Sequence, residues 1–122
     1  MTIDPLDAGP AADTPESWID WTSARQRLAS DPSSSAWVSA NAGSGKTHVL
    51  TQRVIRLLLA GCRPAAILCL TYTKAAASEM SSRVFDRLAE WVTLPDSDLK
   101  DRITAIEGRV PDRIKLAEAR RL

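Results

Sequence analysis

Between Ser39 and Gln52 the chain reads SANAGSGKTHVLTQ, and no other stretch limits the possible folds so sharply. Gly43 and Gly45 give the backbone access to conformations that side chains forbid, immediately before the cation of Lys46 and the hydroxyl of Thr47. The spacing fits [AG]-x-x-x-x-G-K-[ST], with Ala40, Gly45, Lys46 and Thr47 at its fixed positions; the first is Ala where Gly is commoner. A loop of this composition turns successive N–H groups inward around a phosphate, and the helix that follows adds the positive end of its dipole. Ala40, Asn41, Ala42, Gly43, Ser44, Gly45, Lys46 and Thr47 are therefore the candidate triphosphate cradle. Within it Lys46 serves as a point charge on the β- and γ-phosphates, and the Thr47 hydroxyl as a ligand for Mg²⁺. ATP and Mg²⁺ are the cofactors this implies, with Lys46 and Thr47 as the catalytic pair.

The flanking pattern supplies the elements such a loop needs. Thr14-Pro15-Glu16 combines a capping side chain, a first-turn proline and an acid at the dipole's positive end, with a second possible start at Thr22. The helix should carry Arg25, Gln26, Leu28 and Ala29 and stop before Asp31-Pro32. The apolar run Ala36–Ala40 suits a buried strand, and Val49, Leu50, Val54, Leu57 and Leu58 recur at helical spacing, with Gln52, Arg53 and Arg56 on the other side. That helix should end at Gly61, and Ala66–Leu70 should form a second strand covered on both faces. Ala77, Met80, Val84, Leu88 and Trp91 mark a further amphipathic helix, broken at Pro95–Asp98. Leu99, Ile103 and Ile106 predict a short helix ending at Gly108, and Pro111 opens a last one. Strand, loop, helix, strand makes a βαβ unit, so the expectation is an α/β phosphate-loop fold with a parallel sheet and flanking helices. Trp37 and Trp91 fit core positions, while Trp18 and Trp21 suit docking of the first helix.

Composition narrows the partners. Sixteen basic and 15 acidic residues leave a net charge of +1, so no polyanion-binding tail is indicated, although a local nucleic-acid footprint remains compatible. No apolar run is long enough to span a bilayer, and the lead from Met1 is acidic and Pro/Ala-rich, not basic then apolar. A cytoplasmic protein without membrane contact is expected. Cys62 and Cys69 have no partner at metal-ligand spacing and read as reduced structural thiols.

A phosphate loop does not by itself choose between kinase, GTPase, transporter ATPase and helicase. AWVSANAGSGKTHVLTQRVIRLLL, followed by LCLTYTKAAASEMSSRV, resembles motifs I and Ia of superfamily-one DNA helicases of the UvrD/Rep/RecB group. The wording is most similar to helicase-nuclease subunits of the AddAB type. The resemblance, over about residues 23–122, implies a RecA-like motor domain, ATP-driven 3′-to-5′ unwinding in double-strand-break repair, and an AddB-like subunit beside the full-length protein. It also implies that Gln26, 20 residues before Lys46, hydrogen-bonds adenine, where a surface glutamine on a helix is the plain alternative. By the same resemblance Thr71, Tyr72 and Thr73 contact single-stranded DNA, against a plain strand-end reading; hydroxyls suit phosphates and the aromatic face suits a base. Lys74 and Ala75 depart from the family's Asn and Lys, so contacts of those side chains do not carry over. His48 stands where many relatives carry Arg; it is grouped with the nucleotide-binding residues by position, while a lone histidine there reads first as a helix-surface residue and not as a catalyst.

Hydrolysis also needs an acid on a neighbouring strand, and no apolar run here leads into an Asp-Glu pair. The expectation is a disordered lead over residues 1–13 and, over 14–122, the N-terminal part of the first motor domain, cut before the next DNA-contact motif. Such a chain should bind nucleotide weakly and unwind nothing. A small-molecule or nucleoside kinase, and a non-catalytic nucleotide-binding remnant, are the competing classes.

Overall fold

The computed structural model of the chain describes residues 9–39, 41, 43 and 45–122. Five helices follow in order: α1 (Pro15–Ala29), α2 (Lys46–Leu59), α3 (Lys74–Thr93), α4 (Asp96–Glu107) and α5 (Arg113–Ala119), with a short 3₁₀ turn at Pro64–Ala66. Their boundaries follow local chemistry. Thr14 caps α1 by accepting from the Ser17 N–H, while Ser17 returns a bond to the Thr14 N–H. Thr73 caps α3 by accepting from the Ala76 N–H at 3.1 Å, and Asp112 caps α5 through the Lys115 N–H at 2.8 Å. Gly61 (φ +86°) lets the chain leave α2, and Gly108 (φ +76°) terminates α4. Helix α4 begins at Asp96, inside the expected break, because Asp96 and Asp98 in its first turn favour a helix N-terminus.

The core lies among α2, α3, α4 and α5. Ile55 and Leu59 of α2, Trp91 of α3, Leu99, Ile103 and Ile106 of α4 and Ala119 of α5 are buried together, with Val84, Leu88, Leu94 and Leu116 packed around them. Leu99, Ile103 and Ile106 recur at spacings of four and three residues, so one stripe of α4 enters that core. The core thus grips the C-terminal half of α2 and leaves the opposite end, with Lys46 and Thr47 exposed, as the place where the glycine-rich loop is presented.

The expected α/β fold is overturned, since the described residues contain no strand and no sheet. Residues 67–72 alternate as an extended chain does. Ile67, Cys69 and Thr71 line a cavity with Val54, Leu58, Met80 and Val84 of α2 and α3, and Leu68, Leu70 and Tyr72 point away from it; of the six only Ile67 is partly buried. A strand is defined by hydrogen bonds to a second strand, and the two apolar runs do not pair with each other. Without that pairing neither run is covered on both faces: Trp37 is 95% exposed and Leu68 81%, so the core position expected for Trp37 is also corrected. Trp91, by contrast, is fully buried.

Candidate functional site

The C-terminal half of α1 and the first turn of α2 face each other across a cavity of about 640 Å³. Trp21, Arg25 and Gln26 form its α1 wall, the 34–39 segment with Trp37 forms another, and Lys46 and Val49 close it from α2. Arg25 lies over the Trp21 ring, its guanidinium carbon 4.8 Å from the centroid, and Trp21 meets Trp18 edge-on at 5.6 Å. The two rings thus contact each other along α1, with Trp18 exposed and Trp21 lining the cavity.

Two glycines shape the loop. Gly43 (φ +79°) and Gly45 (φ +88°) both adopt the left-handed conformation. A Cβ at Gly43 would meet nothing within 4 Å, whereas one at Gly45 would stand 3.2 Å from the Gln26 amide nitrogen. Gly45 is also the N-cap of α2 and supplies no side-chain cap, so the first N–H groups of that helix stay available to an anion. The Lys46 ammonium folds back over the loop and donates to the Asn41 carbonyl oxygen at 3.0 Å. Ala40, Ala42 and Ser44, three of the expected cradle residues, lie outside the described residues.

The remaining expected residues fall into two groups. Thr47 is exposed at the start of α2, and its carbonyl accepts from the Thr51 hydroxyl at 2.9 Å. His48 does not line the cavity. Burial, then the cations of Arg87 and Arg83 on α3, hold its pKa below the ordinary 6.5, which favours the neutral ring. Thr71, Tyr72 and Thr73 lie outside the cavity, at the entry to α3. The Thr71 hydroxyl donates to the Thr73 carbonyl at 2.9 Å and the Thr73 hydroxyl caps α3, while Tyr72 presents its whole ring to solvent. Of the three, Tyr72 has the side chain most available for stacking.

Sequence reasoning placed Arg53 and Arg56 on the outer side of α2. Both are half-buried against the end of α1, and their guanidinium groups donate to backbone carbonyls there. The signal that could have found Arg53 is its spacing of seven residues from Lys46, which returns to the same helix face; Arg56 follows Arg53 by three residues.

The sequence profile of the UvrD/REP helicase N-terminal domain matches residues 21–108. An ATP-dependent helicase/nuclease subunit from Lactobacillus helveticus is 37% identical over 90 residues, which are 71% of this chain and 8% of that protein. A protein of the same name in Clostridium perfringens is 36% identical over 93 residues, 73% of this chain and 7% of the relative. A third, from Levilactobacillus brevis, reaches 49% over 61 residues, 50% of this chain and 5% of the relative. The chain thus spans less than a tenth of the length of these relatives, and no solved structure matches it.

Proposed function

The chain belongs to the UvrD/REP helicase N-terminal domain family, and from that membership we propose that it is the ATP-binding, N-terminal part of the first motor domain of a helicase-nuclease subunit. The complete protein would couple ATP hydrolysis to 3′-to-5′ unwinding of DNA ends in double-strand-break repair, in the cytoplasm and beside an AddB-like subunit. The 122 residues of this chain bind nucleotide and do not unwind by themselves.

One observation carries the reading: Gln26 and Lys46, an amide and an ammonium 20 residues apart in sequence, open into one cavity beside a left-handed Gly45. The chemistry of the cradle suits a triphosphate. Gly43 leaves open space where a side chain would stand, the uncapped start of α2 offers N–H groups, and Lys46 adds a positive charge. An amide that donates and accepts at once matches the paired edge of adenine, which assigns Gln26 to the base. Mg²⁺ fits only in company with the nucleotide. Thr47 offers a single hydroxyl, and no group of three or more His, Cys, Asp or Glu side chains gathers among the described residues, so phosphate oxygens must supply further ligands. Bound there, the ion would neutralise charge on the phosphates. Asn41, through its backbone, completes the loop, and His48 stands next to it on α2, its neutral ring adding no charge near the phosphates. Thr71, Tyr72 and Thr73 are assigned to single-stranded DNA, with Tyr72 stacking on a base.

Calorimetric titration of the chain with Mg-ATP tests the reading. Removing a charge-assisted contact costs about 1.5–3 kcal/mol, so Lys46→Ala should weaken binding by roughly 10- to 100-fold. Equal affinity for the two proteins would remove the phosphate-loop assignment.

A further inference from the structure

Lys46 and Arg53, seven residues apart, fall on one face of α2, and Arg53 and Arg56, three residues apart, meet the end of α1. Arg53 donates through Nη1 to the Asp31 carbonyl at 2.7 Å and the Ala29 carbonyl at 3.3 Å, and through Nη2 to the Ser34 carbonyl at 2.6 Å. Arg56 donates through Nη1 to the Arg27 carbonyl at 2.6 Å and the Ser30 hydroxyl at 3.1 Å, and its Nη2 stands 3.7 Å from the Asp31 carboxylate. The last carbonyls of a helix have no partner within it, and two guanidinium forks from α2 take up that role for α1. Ser30 is fully buried in this junction, and its N–H bonds the Gln26 carbonyl at 3.0 Å.

The two arginines do different things. Arg56 ties down the end of α1 and the two residues that follow it, Ser30 and Asp31, and does not reach the 34–39 wall. Arg53 holds α1 at Ala29 and, through its other arm, Ser34, where the opposite wall of the cavity begins. One side chain, two turns along α2 from Lys46, therefore ties both walls to the helix that carries Lys46. We propose that Arg53 is a positioning residue for nucleotide recognition: it ties the end of α1, which carries Gln26, and the start of the 34–39 wall to the helix that carries Lys46, so that the amide and the ammonium face one ligand in the same cavity. This inference rests on the reading of the cavity as a nucleotide site and adds to it a residue that touches no part of the nucleotide.

The test is titration of the full chain with Mg-ATP and, separately, with inorganic tripolyphosphate, which has phosphates and no base. Arg53→Ala should weaken ATP binding by about tenfold, the equivalent of one hydrogen bond, and leave tripolyphosphate within about twofold. Arg53→Lys, which keeps the charge and loses the fork, should recover part of the ATP affinity. Gln26→Ala added to Arg53→Ala should cost nothing more, because both act through the same contact. Parallel losses for the two ligands, or no loss for either, would overturn the proposal. Circular dichroism checks that each variant is folded; if Arg53→Ala is not, the same comparison on Arg53→Lys decides by the same criterion. A wild-type chain that binds neither ligand removes the nucleotide site and this inference together, whereas a wild type that binds both while Arg53 variants show no selectivity removes the inference alone.

Discussion

Gly45 and His48, three residues apart, show how one position is set by backbone and its neighbour by surroundings. Gly45 takes φ +88°, a conformation that costs a residue with a Cβ about 1–2 kcal/mol, and its missing side chain leaves room for the Gln26 amide. That requirement was readable in the sequence, because a glycine directly before Lys-Thr, with a second glycine two residues earlier, is the pattern of a loop that wraps a phosphate. The condition of His48 was not, because Arg83 and Arg87 come from α3, 35 and 39 residues further along. The sign of its effect follows from linkage. With the folded pKa below 6.5, the unfolded chain takes up a proton first, so stability is complete above about pH 6.5 and is lost as pH falls from there through the lowered folded value. Replacing His48 by Gln, which is neutral throughout, should flatten this part of the profile. Urea midpoints at about pH 7.5 and about pH 5.5 measure it, and an unchanged slope would show that His48 is not its source.

Among the elements, α3 has its amphipathic stripe where helical periodicity put it, with Met80 and Trp91 buried and Val84 and Leu88 packed on the core. The end of α3 before Pro95 was legible, but the side chain that holds its last carbonyls was not. Arg120, past the end of α5, donates through Nη1 to the Trp91 and Val92 carbonyls at 3.0 Å each, and through Nη2 to the Leu94 carbonyl and the Asp96 carboxylate at 2.7 Å each. One guanidinium closes α3, steadies the start of α4 and holds α5 against both. Arg120→Ala should therefore lower the free energy of unfolding by about 1–3 kcal/mol, since these carbonyls lose a charged donor. Denaturant unfolding reads the change, and a loss of only a few tenths would assign Arg120 to the surface. Helix periodicity finds which face is buried; it carries no information on which distant side chain caps the end.

For the whole molecule, the main consequence is the apolar surface that the two extended segments leave uncovered. Trp37, Leu68, Leu70 and Tyr72 are all exposed, and extended backbone without a paired strand offers N–H and C=O groups to another chain. The chain should self-associate as its concentration rises, and Leu68→Lys combined with Leu70→Lys should suppress this without loss of helix content. Sedimentation equilibrium distinguishes the outcomes: a wild-type mass that stays at one chain at every concentration would contradict the expectation.

Local chemistry in the sequence was enough for the five helices and for Thr14, Gly61 and Gly108 at their ends, because each depends on residues within a turn or two of one another. It was also enough for the family, because the two motif segments are specific as strings of residues. The tertiary structure alone decided that the apolar runs at 36–40 and 66–70 make no sheet among the described residues, since a strand exists only through a second strand's hydrogen bonds. It also decided that Arg53 and Arg56 join α2 to α1 when periodicity had turned them toward solvent. Hydrophobic spacing reports which face of a helix is apolar, whereas a long cation finds its partners in whatever carbonyls the packing brings within its reach.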